Sequence, residues 1–268
     1  MKNSCFILII IYLMAFSCKE KTNDTIESNS EKVITKAIQK NDTLSIHPIS
    51  HATMVLSYGK TDIYVDPTGG AQVFKLYSNP EFVLITDVHY DHLDVETLEG
   101  LDLSSTILVA PKAVIDKLPE DLSVSKLVTL NNGDLITLNA IKFEAIPMYN
   151  LREEAQKFHS KGRGNGYILT IGNERIYISG DTEDIPEMRN LMQIDKAFIC
   201  MNQPYTMTVE SAADAVLEFK PKQVYPYHYR GTNGFSDVDR FKTLINQGDE
   251  TIEVIQLNWY KKSDEMQK

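Results

Sequence analysis

The run Thr86-Asp87-Val88-His89-Tyr90-Asp91-His92 sets two imidazoles and two carboxylates within six residues. Imidazole nitrogens and carboxylate oxygens are the donors that hold divalent transition-metal ions. The run follows the apolar stretch Phe82-Val83-Leu84-Ile85, which reads as a buried strand. The four side chains therefore fall on the loop at the strand's C-terminal end. The alternative is a polar surface turn with chance histidines. The chain has only six histidines, and two of them stand here beside two aspartates, which favours a metal loop.

Three further residues could complete such a site. Asp181 lies in Tyr177-Ile178-Ser179-Gly180-Asp181-Thr182, just after a β run, where Gly180 frees the backbone to turn. Alone, a Gly-Asp pair is ordinary turn chemistry. His228 lies in Pro226-Tyr227-His228-Tyr229-Arg230-Gly231, after Val224-Tyr225. A lone histidine among tyrosines is more often a hydrogen-bonded core residue than a ligand. His159 is the only histidine between positions 93 and 180. The glycines at 162, 164 and 166 resemble a phosphate-cradling loop, but no helix N-terminus follows them, so a turn is favoured.

Taken in order, these motifs resemble those of the metallo-β-lactamase-fold hydrolases, whose first motif is His-x-His-x-Asp-His. Here it stands as Asp87-x-His89-x-Asp91-His92, with an aspartate for the first histidine. The resemblance covers roughly residues 44–258. It implies an α/β (α+β) four-layer αββα sandwich with a metal site at one edge. It also implies two divalent ions, zinc or manganese. His89, His159 and Asp87 would hold one, Asp91, His92 and His228 the other, and Asp181 would bridge them. Asp91 and Asp181 would be the catalytic carboxylates. His51 fits the family's histidine near the cleft, as a substrate-facing residue and not a ligand. Tyr227, Tyr229 and Arg230 adjoin a ligand and either contact substrate or, for the tyrosines, pack in the core. His47 precedes Pro48 and reads as structural. The lactonase-like branch, with ascorbate-6-phosphate lactonase-like proteins, is the nearest in flavour; N-acyl-phosphatidylethanolamine phospholipase D-like enzymes are more distant.

Two ions about 3.5–4 Å apart lower the pKa of a shared water toward neutrality and hold a developing oxyanion, so no serine or cysteine nucleophile is needed. The bond cleaved is an ester, lactone, amide or phosphodiester of a small molecule or lipid, and the motifs do not choose among them. Asp87 in place of imidazole removes positive charge from the site and shifts preference from zinc toward harder ions such as manganese. Alternatively Asp87 leaves the shell and one ion is held. The rival from another class is a non-catalytic envelope lipoprotein that uses the fold as a metal-binding module.

The elements that must position these residues are short. Strands are predicted over Met54 to Tyr58 and Asp62 to Val65 as a hairpin about Gly59-Lys60. Others follow over Phe82 to Ile85, Thr106 to Ala110, Leu127 to Leu130, Leu135 to Leu138 and Ile141 to Ile146, with Asn132-Gly133 turning between the fifth and sixth of these runs. Gly166 to Ile171 and Arg175 to Ser179 form a second hairpin about Gly172-Asn173. Strands within Ile194 to Met201, Gln223 to Tyr227 and Glu253 to Leu257 follow. Helices are predicted over Val95 to Leu101, from Pro111 toward Leu118, over Val209 to Phe219 capped by Thr208, and over Val238 to Ile245.

The ends and the composition bound the rest. Lys2 followed by the apolar Phe6 to Phe16, too short to span a bilayer, reads as a signal segment. Ala15-Phe16-Ser17-Cys18 resembles a bacterial lipobox, with Cys18 as the lipidated residue; the alternative is an ordinary cleaved signal with an incidental cysteine. The organisation expected is signal peptide 1–17, lipidated Cys18 and polar tether 18–41, hydrolase domain 42–260 and polar tail 261–268. The partners are then a small-molecule or lipid substrate and a membrane reached through the anchor, at the bacterial cell envelope, periplasmic or surface-facing. A net charge of −10 disfavours non-specific nucleic-acid binding. Oligomeric state is not encoded in any motif. Cys200, in an apolar run, reads as a core thiol.

Overall fold

In strands of the first half, alternate side chains belong to different cores, and this alternation builds the layers. The computed structural model describes residues 43–260. The signal segment, Cys18, the tether and the polar tail lie outside the described residues. A first sheet of six strands runs β1 (Leu44–Ser50), β2 (Thr53–Tyr58), β3 (Thr61–Val65), β4 (Phe82–Leu84), β5 (Ile107–Ala110) and β6 (Lys126–Thr129), in that spatial order. β1 to β3 are antiparallel and β3 to β6 parallel. The second sheet contains β7 (Leu135–Leu138), β8 (Ile141–Met148), β9 (Gly164–Ile171), β10 (Glu174–Ile178), β11 (Lys196–Cys200), β12 (Gln223–Tyr227) and β15 (Glu253–Val254). Its order is β15-β12-β11-β10-β9-β8-β7. β7 to β10 are antiparallel; β10, β11, β12 and β15 are parallel. A small hairpin, β13 (Arg230–Gly231) with β14 (Gly234–Phe235), follows His228.

Ile63, Val65, Phe82, Leu84 and Val109 of the first sheet share a core with Phe143, Leu169, Ile176 and Ile178 of the second. Phe82 and Phe143 meet across the layers with ring centroids 5.1 Å apart, a contact worth about 0.5–1.5 kcal/mol beyond its buried area. Their neighbours Tyr64, Val83 and Leu108 point the other way, into a second core with Leu98 of α1 (Val95–Gly100) and Val114 of α2 (Lys112–Ile115). The outer face of the second sheet is covered by α3 (Pro186–Arg189), α4 (Val209–Phe219) and α5 (Val238–Gly248). Tyr177 meets Phe219 of α4 edge-on at 6.2 Å. The layers are therefore helices, sheet, sheet, helices. α4 starts where Thr208 accepts the Ser211 N–H, a cap worth about 1 kcal/mol. No helix among the described residues is long and apolar enough to cross a membrane.

The structure corrects several expectations. Asn132-Gly133 does not close a hairpin: β6 and β7 belong to different sheets, and this segment is the crossover between them. Asn132 Nδ2 fastens it by donating to Gly164 O (2.9 Å) and Asn165 Oδ1 (2.7 Å). β1 was not anticipated, because Pro48 interrupts its pattern; as an edge strand it tolerates a residue without an N–H. His47 lies within it, 5.2 Å from the Tyr77 ring. The late strand shrinks to Glu253–Val254, and α3 and the β13–β14 hairpin were too short to leave a periodic signal.

Candidate metal centre

The polar side chains of the centre lie just past the carboxyl ends of strands that take part in parallel pairs. β3 delivers Asp66, β4 the loop 86–92, β10 Asp181 and β12 His228. Such strand ends are the usual ligand sites of layered α/β sheets. Among the described residues, three groups have donor atoms within 4.8 Å of one another: His92–Asp181–His228, Asp87–His89–His159 and His51–Asp91–His228.

The first group is buried throughout. His92 Nε2 and His228 Nε2 are 3.1 Å apart. Asp181 Oδ2 is 3.5 Å from the first and Asp181 Oδ1 3.2 Å from the second. Oδ1 nevertheless makes no hydrogen bond. Buried polar atoms ordinarily find partners, and a carboxylate oxygen left over beside two converging imidazoles is what a divalent cation would complete. The residues present fit an ion here. His92 Nδ1 lies 2.8 Å from Asp66 Oδ2. A proton on Nδ1 donated to Asp66 turns the Nε2 lone pair toward Asp181, the usual way a histidine ligand is aimed. Asp66 is itself held by the Thr86 N–H (2.7 Å to Oδ1) and the Thr86 hydroxyl (2.7 Å to Oδ2). Burial pushes its carboxyl above the usual range against the opposing pull of His92.

The fields agree with a cation site. Burial alone would lower the His92 pKa, but Asp181 and Asp66 outweigh it and raise it well above the ordinary value. Burial would likewise raise Asp181, but His228 and His92 hold it well below the usual carboxylate range. The surroundings that favour a proton on His92 favour any cation at the same place. Asp91, half-buried, lies 3.5 Å from His228 Nε2, 3.4 Å from His51 Nε2 and 3.9 Å from His92 Nε2. Burial would raise its carboxyl; the His228 and His51 hydrogen bonds and the His92 charge keep it below the usual range. His228 has φ 46° and His51 φ 56°, left-handed values uncommon for residues with a Cβ. The two are tied by the His228 N–H to His51 O bond, with their rings 3.8 Å apart.

The second group is arranged differently. Asp87 is fully buried, and both its oxygens are taken. Arg163 Nε donates to Oδ1 (3.1 Å) and Arg163 Nη2 to Oδ2 (2.8 Å), a two-pronged fork. His89 Nδ1 also lies 2.7 Å from Oδ2. Arg163 Nη2 is 3.5 Å from His89 Nε2 and also donates to Phe158 O. Burial would raise the Asp87 carboxyl; the His89 hydrogen bond and the charges of His92, His89 and Arg163 hold it low. His159 Nε2 is 4.0 Å from Asp87 Oδ2 but 3.2 Å from Asp181 Oδ2. Its Nδ1 lies 3.2 Å from Tyr205 O and 3.1 Å from Asn150 Nδ2, and these contacts hold the ring with Nε2 toward Asp181.

A cleft of about 340 Å³ opens on these groups, lined by His51, His89, Tyr90, Asp91, His159, Asp181, Asn202, Tyr205, Arg230 and Thr232 among others. His51 and Arg230 thus face it. Tyr227 does not: it is fully buried against Phe198 and Trp259, and its hydroxyl accepts the Gly180 N–H at 3.0 Å. Its role is to hold the turn that carries Asp181, because alternation on β12 sends its ring into the core. Tyr229 packs edge-on against Tyr260 and Phe235 and is not among the residues lining the cleft. Sequence reasoning missed Asp66, Arg163 and Tyr260. Tyr260 OH sits 2.7 Å from His51 Nδ1 and accepts the Arg230 N–H. For Asp66 the signal was an aspartate right after a buried strand; Arg163 and Tyr260 carried none.

Residues 61–229 match the family model described as the beta-lactamase superfamily domain. Over 214 residues the chain is 26% identical to a UPF0173 metal-dependent hydrolase of Pyrococcus horikoshii, covering 76% of this chain and 93% of that protein. A crystal structure from Parabacteroides distasonis, titled as a candidate metal-dependent hydrolase, is 38% identical with a TM-score of 0.73, covering 82% of this chain and 94% of that one. A metallo hydrolase from Ignicoccus hospitalis has the same fold, at 19% identity, a TM-score of 0.67 and coverage of 80% and 94% of the two chains. The match runs from β3 to the residue after His228, so it takes in each of the strand ends that build the centre, and the chain belongs to the beta-lactamase superfamily.

Proposed function

We propose that the protein is a metal-dependent hydrolase that cleaves an ester, lactone, amide or phosphodiester bond of a small molecule or lipid in this cleft. The observation that carries the reading is the buried convergence of His92 Nε2, His228 Nε2 and the unsatisfied Asp181 Oδ1 beside an open cleft. These three side chains and Asp91 would hold a divalent ion, zinc or manganese. When bound, such an ion acidifies a water and stabilises the developing oxyanion. Asp66 aims His92, and His159 faces Asp181 across 3.2 Å. Asp91, half-buried on the cleft wall and in contact with His51, is placed to take a proton from the attacking water and pass it to the leaving group. Arg230, exposed at the rim, would orient an anionic part of the substrate. The lactonase-like affinity and an anchor at Cys18, which would hold the domain at a bacterial envelope membrane, belong to this same proposal.

The test is hydrolysis of a panel of esters, lactones, amides and phosphodiesters by the zinc- or manganese-loaded protein, beside His92→Ala and Asp181→Asn. Turnover of one class, lost in both variants, is the expected result; no turnover by a metal-loaded, folded protein would sink it. That second outcome is the one a non-catalytic binding module gives, a reading favoured by one observation, the capture of Asp87 by Arg163.

A further inference from the structure

We infer that Arg163 stands in the cation position of the Asp87–His89–His159 group, so that the chain takes one resident divalent ion, at His92–Asp181–His228, and not two. The inference rests on the metal-centre reading above and adds the stoichiometry and its cause. Two observations carry it. First, the Asp87 carboxylate has no oxygen free for an ion: Oδ1 accepts from Arg163 Nε, and Oδ2 accepts from Arg163 Nη2 and lies 2.7 Å from His89 Nδ1. Second, Arg163 Nη2 lies 2.8 Å from Asp87 Oδ2 and 3.5 Å from His89 Nε2, so a guanidinium nitrogen already stands beside two of the group's three residues. The donor set therefore does not fit a second ion while Arg163 is in place.

The charge argument points the same way. A guanidinium cannot lose its proton in a protein, so a divalent ion in this group would sit a few ångströms from a fixed positive charge. A histidine in place of Asp87 could not anchor that guanidinium, because a neutral imidazole offers it no carboxylate fork. The aspartate at position 87 and the arginine at position 163 thus form one device: the carboxylate draws in the arginine, and the arginine supplies the positive charge a second ion would otherwise bring. Arg163 is a positioning residue here. It acts through Asp87 and His89 and is not among the residues lining the cleft.

The experiment is a metal count on the purified full chain, by elemental mass spectrometry after loading with zinc or with manganese and dialysis, with native mass spectrometry as a second count. One ion per chain is expected. It should be retained in Asp87→Asn and lost in His92→Ala, and Arg163→Met should raise the count to two by freeing the Asp87 carboxylate. Thermal melting of each variant confirms that it folds. Two ions in the unaltered chain, or loss of the single ion in Asp87→Asn, would overturn the inference while leaving the metal-centre reading standing. No ion in the unaltered chain would overturn both. The unaltered chain alone decides the stoichiometry should Arg163→Met fail to fold.

Discussion

A histidine donor is only as well placed as the group that aims it, and for His92 that group is Asp66. It is fully buried at φ 44°, accepts two hydrogen bonds from Thr86 and faces His92 Nδ1. Asp66→Asn preserves its size but removes the charge and one acceptor oxygen. Loss of such an orienting partner typically lowers metal affinity about 10–100-fold. Competition with a chromophoric chelator should show that drop with the fold retained by circular dichroism; unchanged affinity would mean His92 is aimed by packing alone. At this scale the sequence was only half legible. Asp91, His92, Asp181 and His228 stand in short motifs beside β runs, and the structure brings them together. Asp66 lies 26 residues before His92 and Arg163 lies 76 after Asp87, so neither pairing has a local signature. Tyr227 stood open between substrate contact and core packing, because proximity in sequence to His228 says nothing of which sheet face a neighbour takes; the structure packs it in the core.

Strand ends decide how firmly these side chains are placed, and the turn after β10 is the clearest case. Gly180 has φ 61°, and a Cβ there would meet Met148 Sδ at 2.5 Å and Asn165 O at 3.0 Å. Gly180→Ala therefore combines a left-handed backbone, costing about 1–2 kcal/mol, with overpacking that typically costs about 1–3 kcal/mol. Gly133 also has a positive φ, 89°, but nothing lies within 4 Å of its Cβ position, so Gly133→Ala should cost only the backbone part. Urea unfolding should show the larger fall in midpoint for Gly180→Ala, with weaker ion binding because Asp181 moves; equal falls would mean the crowding is relieved at no cost. The hairpins about Gly59-Lys60 and Gly172-Asn173 were legible because a two-residue loop between apolar runs leaves few other conformations. The β6-to-β7 crossover was not, since Asn-Gly chemistry is the same whether the next strand pairs with the last one or leaves for the other sheet.

Across the whole molecule, the donors of the centre come from both layers: His92 follows β4 in the first sheet, while Asp181 and His228 follow β10 and β12 in the second. An ion held by all three would tie the sheets together and could not survive their separation. Cys200 offers a reporter of that separation. It lies on β11, between β10 and β12, fully buried, with its thiol donating to Thr182 O. Burial pushes the thiol up to about 12, so at pH 8 the native thiol is both neutral and inaccessible to an alkylating reagent. Modification of Cys200 then requires opening of the fold, and its rate follows the population of the open state when reclosing is fast. A ligand that binds only the native state at 100 times its dissociation constant stabilises it by about 2.7 kcal/mol and should slow labelling roughly 100-fold. Manganese is the ion to use, because thiolates prefer softer metals and the opened chain would hold it weakly. Mass spectrometry of the Cys200 peptide, which separates it from Cys5 and Cys18, should show that slowing in the unaltered protein and none in His92→Ala. Labelling at the same rate with and without manganese would mean that whatever ion the cleft holds does not bridge the two sheets.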